Sequence, residues 1–143
     1  MAKVSVFTAD SGEWLTGSNA ESEGLKAVPD RKEILGGMRR IRYEGSDTEL
    51  QLFEAKIGPD QEVESHAHVE DEIVYVVGGS MRLGARVLEP GASVYIPGMT
   101  LYSFRAGPDG LHYLNFRPRR DETHYSKEQF MSLREAAKTG SSH

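Results

Sequence analysis

The stretch His66-Ala67-His68-Val69-Glu70-Asp71-Glu72 gathers two imidazoles and a carboxylate at spacings that matter chemically. Side chains two apart on a strand point to one face, so His66 and His68 converge, about 7 Å apart along the strand. Glu72 has the same parity, and a bend at Glu70-Asp71 can also bring it in from an adjoining strand. Two imidazoles and one carboxylate form a facial set that suits non-haem Fe(II), and the same donors accept Mn, Ni, Co or Zn. The remaining coordination positions are then open to water, O₂ or a chelating substrate. The chain has no cysteine, which removes thiolate ligands and disulfides together. Any metal must be held by His, carboxylate or Tyr.

Elements that would position these residues are legible from proline and glycine punctuation. Thr48–Ile57 alternates apolar and polar residues and stops at the turn signal Gly58-Pro59-Asp60. Val63–His68 is a short extended stretch, and Glu72–Val77 is a β-branched and aromatic run closed by Gly78-Gly79. Ser80–Leu88, Ser93–Ile96, Leu101–Arg105 and Leu111–Phe116 follow, the last two separated by a turn at Gly107-Pro108-Asp109-Gly110. Short strands at nearly regular spacing predict an all-β antiparallel sandwich or barrel. Met38–Tyr43 reads as an edge strand, and Gly17–Asp30 as a loop covering one end. Ser126-Lys127-Glu128-Gln129 is a capping box that opens a C-terminal helix. Phe130, Leu133 and Ala137 give that helix an apolar stripe to lay against the sheet.

The spacing His-x-His, three residues, Glu, six residues, Gly is met by His66, His68, Glu72 and Gly79. It resembles the first motif of the cupin superfamily, with Gly58 as the leading glycine two residues further upstream than usual. Gly91 and Pro97 fit the second cupin motif, but Met99 stands for its glycine, Tyr102 for its histidine and Ala106 for its asparagine. The resemblance covers roughly residues 48–117. It implies a single cupin double-stranded β-helix (a jelly-roll barrel) over 1–143, with a barrel core at 38–117, an irregular N-terminal arm and a helix at 126–138. It also implies a metal inside, held by His66, His68, Glu72 and a fourth group at Tyr102. A phenol of ordinary pKa about 10 ligates only if the cation deprotonates it; otherwise it serves as an acid toward a bound substrate or plugs the barrel mouth.

The layout, an arm containing Trp14 before one barrel, is similar to small cupin dioxygenases that cleave carbon–carbon bonds. The expected function is accordingly an Fe(II) dioxygenase of a small phenolic, enol or hydroxy-ketone substrate, with Tyr102 catalytic. The alternatives are a Zn-, Mn- or Ni-dependent isomerase, lyase or cyclase with Tyr102 as acid/base, and a ligand-binding cupin without turnover. His112 is expected to be packed or at the surface, and His124 solvated. Arg105 and Arg117 follow inward-candidate positions from which they could anchor an acidic substrate, but the surface is the expected place for both, and Tyr95 faces away from the metal. Glu62, Glu64, Glu70 and Asp71 surround the metal loop with negative charge, which favours cation capture.

Val74 and Val76 share Glu72's inward parity, yet Ile73, Tyr75 and Val77 on the other face are apolar too. A strand apolar on both faces is covered on both, so a homodimer is expected. The formal charge of −5 argues against nucleic-acid or anionic-membrane partners. No apolar run of about 18 residues is present. A soluble cytoplasmic protein is the expectation.

Overall fold

Residues 3–15 and 37–140 are described by the computed structural model of the chain. The strands among them are β1 (Gly37–Tyr43), β2 (Gln51–Ile57), β3 (Glu62–Ala67), β4 (Glu72–Leu83), β5 (Arg86–Leu88), β6 (Ser93–Ile96), β7 (Tyr102–Arg117) and β8 (Tyr125–Ser126), followed by helix α1 (Lys127–Gly140). The N-terminal arm is tied to β1 by a bridge between Leu15 and Arg39. The expected loop at Gly17–Asp30 lies outside the described residues.

β4 and β7 organise the sheet, because they pair with each other along their length and exchange their outer neighbours partway. The C-terminal part of β7 pairs with β2, and the N-terminal part of β4 with β6. At the other end β7 pairs with β3, and β4 with β5. The result is two antiparallel layers, β1-β2-β7-β4-β6 and β8-β3-β7-β4-β5, continuous through the two shared strands. Between them lies a core that includes Ile57, Val63, Val74, Val76, Met81, Phe104 and Leu111. Each such side chain, fully buried, stabilises the fold by roughly 1.5–3 kcal/mol.

Two expected turns are passages within long strands instead. Gly79 pairs with Leu111 and Met81 with Ala106, so residues 107–110 are looped out of the ladder opposite Ser80. Gly79 is required there: its φ is +66°, and a Cβ would stand 2.1 Å from the Gly110 carbonyl oxygen. The punctuation marked the bend correctly, but the ladder resumes on the far side of it. The chain reverses later, at Gly84.

Period-2 alternation holds in β4, with Glu72, Val74 and Val76 buried and Ile73, Tyr75 and Val77 exposed. The capping box forms as expected: the Ser126 N–H donates to Gln129 Oε1 at 2.9 Å, and the Gln129 N–H to Ser126 Oγ at 3.2 Å. The expected apolar stripe does not close on the sheet. Phe130 is buried but Leu133 is 44% exposed, and the rest of the helix from 131 to 138 is exposed too. Among the described residues no helix is long and apolar enough to cross a membrane.

Candidate metal centre

A β-bulge aims the two histidines. Along β3, Val63 pairs with Phe104 and His66 with Tyr102, so three steps on β3 match two on β7. With Val63 buried in the core, strict alternation would turn His66 outward; the extra residue reverses the parity. His66, Ala67 and His68 are all buried as a result. The bulge also supplies an acceptor, since the His66 Nδ1–H donates to the Glu64 carbonyl at 2.7 Å. His68 Nδ1–H donates to the Thr123 carbonyl at 2.5 Å. Both rings are thereby oriented by backbone carbonyls, the support that metal-ligating histidines ordinarily have. Burial, then the nearby Arg117 charge, holds the His68 pKa down to about 4, so this imidazole is neutral near pH 7.

Glu72 opens β4 and divides its oxygens between two tasks. Oε2 accepts from Asn115 Nδ2 at 2.7 Å, Arg117 Nε at 3.2 Å and Arg117 Nη2 at 3.0 Å. Oε1 accepts from the Tyr102 hydroxyl at 2.8 Å and lies 3.8 Å from His68 Nε2. Burial pushes this carboxyl up, but the charges of Arg117 and His68 and the Asn115 and Tyr102 hydrogen bonds outweigh it and leave it below its ordinary value. Burial and the Glu72 charge drive the Tyr102 phenol well above its ordinary value, so it keeps its proton.

That proton has more than one claimant. Tyr102 Oη stands 3.0 Å from His66 Nε2 as well as 2.8 Å from Glu72 Oε1. With Nδ1 donating to a carbonyl, a neutral His66 presents a lone pair at Nε2. His66 Nε2 and Glu72 Oε1 thus face a single phenolic hydrogen, with His68 Nε2 close by. A cation suits such a set, because an ion about 2.1 Å from cis donors keeps them about 3.0–3.4 Å apart. Among the described residues, histidine and carboxylate side chains alone do not form a group of three that closes around an ion. The Tyr102 oxygen stands between them. The donor chemistry fits a divalent ion held by His66, His68 and Glu72, with Tyr102 in contact with two of the three.

Expectations for the surrounding residues divide. Arg117, expected at the surface, is buried, because the Glu72 carboxylate draws it inward. His124, expected in solvent, is only 6% exposed. The returning strap accounts for this: β8 pairs with His66 and Ala67 and carries His124 under the site. There its ring lies parallel to His66 with centroids 4.8 Å apart, and 5.5 Å from His68. The strap is fastened by buried Asp121, which accepts from Thr123 N and Oγ1 and from the Glu70 N–H. The capping box fixes where the helix begins, but nothing in the sequence says that the residues before it pair with β3.

His112 bonds Glu54 Oε2 at 2.6 Å on the outer face of the sheet, beside Arg40 and Trp14, and Arg105 is at the surface beside Glu62. Tyr95 is exposed and donates to Asp71. The acidic residues have structural partners: Asp71 also accepts from Gly98 N, and Glu70 pairs with Arg119. Met99, at the position of the second motif's glycine, has a left-handed backbone, φ +55°.

No family model matches the chain, and no curated protein matches it. Solved structures do. The chain is similar to KdgF from Halomonas sp., at 31% identity and TM-score 0.52 over 61% of this chain and 83% of that one. It is similar in fold to an RmlC-like cupin protein from Ralstonia eutropha, at 16% identity and TM-score 0.62 over 82% of this chain and 69% of that one. The polyketide cyclase RemF from Streptomyces resistomycificus superposes with 20% identity and TM-score 0.54, over 64% of this chain and 71% of that one.

Proposed function

The chain belongs to the cupin superfamily, and from its site we propose a metal-dependent enzyme that moves a proton on a small chelating substrate without consuming oxygen, as an isomerase, lyase or cyclase does. The observation that carries this reading is the Tyr102 hydroxyl, which donates to Glu72 Oε1 at 2.8 Å and lies 3.0 Å from His66 Nε2. A divalent ion would be held by His66, His68 and Glu72. When bound it supplies Lewis acidity, polarising a substrate oxygen.

The chain's own residues do the rest. Arg117 and Asn115 grip Glu72 Oε2, so the carboxylate presents Oε1 in one orientation. Neutral His68 keeps its Nε2 lone pair directed at the cavity. Tyr102 Oη holds a proton at the cavity wall and can pass it to a substrate atom or take one back, which is worth about 10²–10⁴ in rate. RemF, a neighbour in fold, is a cyclase by name, which agrees with chemistry of this kind.

An Fe(II) dioxygenase would use the same three donors and differ in consuming O₂. The test uses chelator-stripped protein reloaded with Zn(II), Mn(II), Ni(II) or, anaerobically, Fe(II), offered small enols, phenolics and hydroxy-ketones beside an oxygen electrode. Turnover without oxygen uptake is expected, and Tyr102→Phe should keep its metal while losing at least about 100-fold in rate. Oxygen uptake in step with turnover would establish the dioxygenase instead. Loss of metal from Tyr102→Phe would make the phenol a ligand.

A further inference from the structure

Beyond Arg117, where β7 ends, the chain doubles back along the loop that joins β3 to β4. Three hydrogen bonds tie residues 68–70 of that loop to residues 121–123 of the returning strap. His68 Nδ1–H donates to the Thr123 carbonyl at 2.5 Å, the Val69 N–H to Thr123 Oγ1 at 3.0 Å and the Glu70 N–H to Asp121 Oδ2 at 2.8 Å. Every donor is on the loop and every acceptor on the strap. Asp121 organises those acceptors. Its Oδ1 accepts from the Thr123 N–H at 2.8 Å and from the Thr123 hydroxyl at 2.5 Å. A carboxylate bonded to the backbone N–H two residues on closes a turn, and this turn sets the direction of the Thr123 carbonyl.

All three metal donors meet the strap. His68 has Nε2 to offer an ion because Nδ1 is engaged at Thr123, which fixes both its tautomer and its ring plane. Glu72 is gripped by Arg117, whose Nη1 in turn donates to the Asp121 carbonyl at 2.8 Å. His66 lies on the stretch of β3 that β8 pairs with, directly after the strap. Asp121 is itself only 6% exposed, so its loss would leave the Glu70 and Thr123 N–H groups without the acceptor that now serves both. The donors thus lie within the cupin-like span 48–117, and their orientation is set from outside it.

We propose that Asp121 is a positioning residue for the metal centre, and that docking of the 121–126 strap and binding of the ion are one coupled event. This rests on the metal-centre reading above and adds what holds His68 and Glu72 ready. Such coupling is reciprocal: an ion that requires His68 in its present orientation favours the docked strap by the same factor as the strap favours the ion. The C-terminal helix, capped at Ser126 where the strap ends, docks with it.

The test is competitive Zn(II) titration against a chromophoric chelator, with Co(II) absorption spectra of the same proteins and amide exchange followed with and without Zn(II). Asp121→Asn keeps the shape but puts an NH₂ group where one of two accepting oxygens stood. It should raise the Zn(II) Kd about 10- to 100-fold and alter the Co(II) spectrum, which reports ligand geometry. Glu54→Gln, whose lost contacts are on the outer face, should cost stability yet keep the wild-type Kd and spectrum. In wild type, Zn(II) should slow exchange at the Val69, Glu70 and Thr123 amides, by up to the same 10- to 100-fold or so. Wild-type Kd and spectrum in Asp121→Asn would remove Asp121 from its role and leave the metal centre standing. Should that variant not fold, wild-type exchange decides: amides indifferent to Zn(II) would overturn the coupling. An equal loss of affinity in Glu54→Gln would reduce the effect to general loosening and overturn the positioning role. Wild-type protein that takes up no Zn(II) would overturn the metal centre itself.

Discussion

Replacing Arg117 by Met tests the electrostatic arrangement of the site most directly. The guanidinium makes two hydrogen bonds to Glu72 Oε2, at 3.2 and 3.0 Å, and one to the Asp121 carbonyl at 2.8 Å. Glu72 and Arg117 are both buried, so removing one leaves a carboxylate without its counter-charge where water cannot replace it. Breaking a buried pair in this way costs about 3–5 kcal/mol. Folded domains are stable by only about 5–15 kcal/mol, so the variant should fold with much of its margin gone. At roughly 3 °C per kcal/mol for a chain of this size, the thermal midpoint should fall by about 9–15 °C. The assay is paired urea and thermal unfolding of wild type, Arg117→Met, Glu72→Gln and the double variant. The double variant should lose less than the sum of the two single ones, because the isolated charge no longer exists. Excess Zn(II) should restore part of the Arg117→Met loss by supplying positive charge beside Glu72. A loss below about 1 kcal/mol, or strict additivity in the cycle, would refute the view that Arg117 holds Glu72 in place.

Gly79→Ala should destabilise by more than about 3 kcal/mol in urea unfolding, since a methyl would collide with the Gly110 carbonyl and the positive φ disfavours any side chain; a near-neutral result would contradict the close approach of β4 to β7 at Gly110. Burial pushes the Glu54 carboxyl up, yet hydrogen bonds from Arg40, His112 and Arg42 and the Arg40 charge bring it below its ordinary 4.5. Its contribution to stability is therefore present above pH 4.5 and lost as the pH falls through the folded value, so Glu54→Gln should cost stability at pH 7 and progressively less on acidification. A gap that stays constant down to about pH 3 would exclude that linkage. Ile73, Tyr75, Val77 and Phe116 leave an apolar outer face that a second copy of the chain is expected to cover. Sedimentation should then show a wild-type dimer and a monomeric Ile73→Glu variant, and a monomeric wild type would dispose of the idea.

What the sequence determined by itself was whatever follows from local spacing. Alternation in β4 placed Glu72, Val74 and Val76 on one face, and the capping box placed the start of the helix; both depend on residues a few positions apart. The cupin-like spacing likewise marked His66, His68, Glu72 and Tyr102 as one group. Even so, alternation read straight through β3 from Val63 would have turned the histidines outward, and only the bulge against β7 restores them.

Tertiary structure decided the partners. Arg117 is 45 residues from Glu72 in the chain, and no periodicity distinguishes an arginine drawn into a cavity from one left in solvent. Arg39 and Arg40 are adjacent and chemically alike, yet pairing with β2 sends Arg39 to the cavity and Arg40 to Glu54. His124 reaches the site because a two-residue strand after the barrel adds to the edge of β3. In each case the side chain's environment is set by which strand lies beside it. That is a long-range choice, made by the burial of the whole sheet and not by the residues next along the chain.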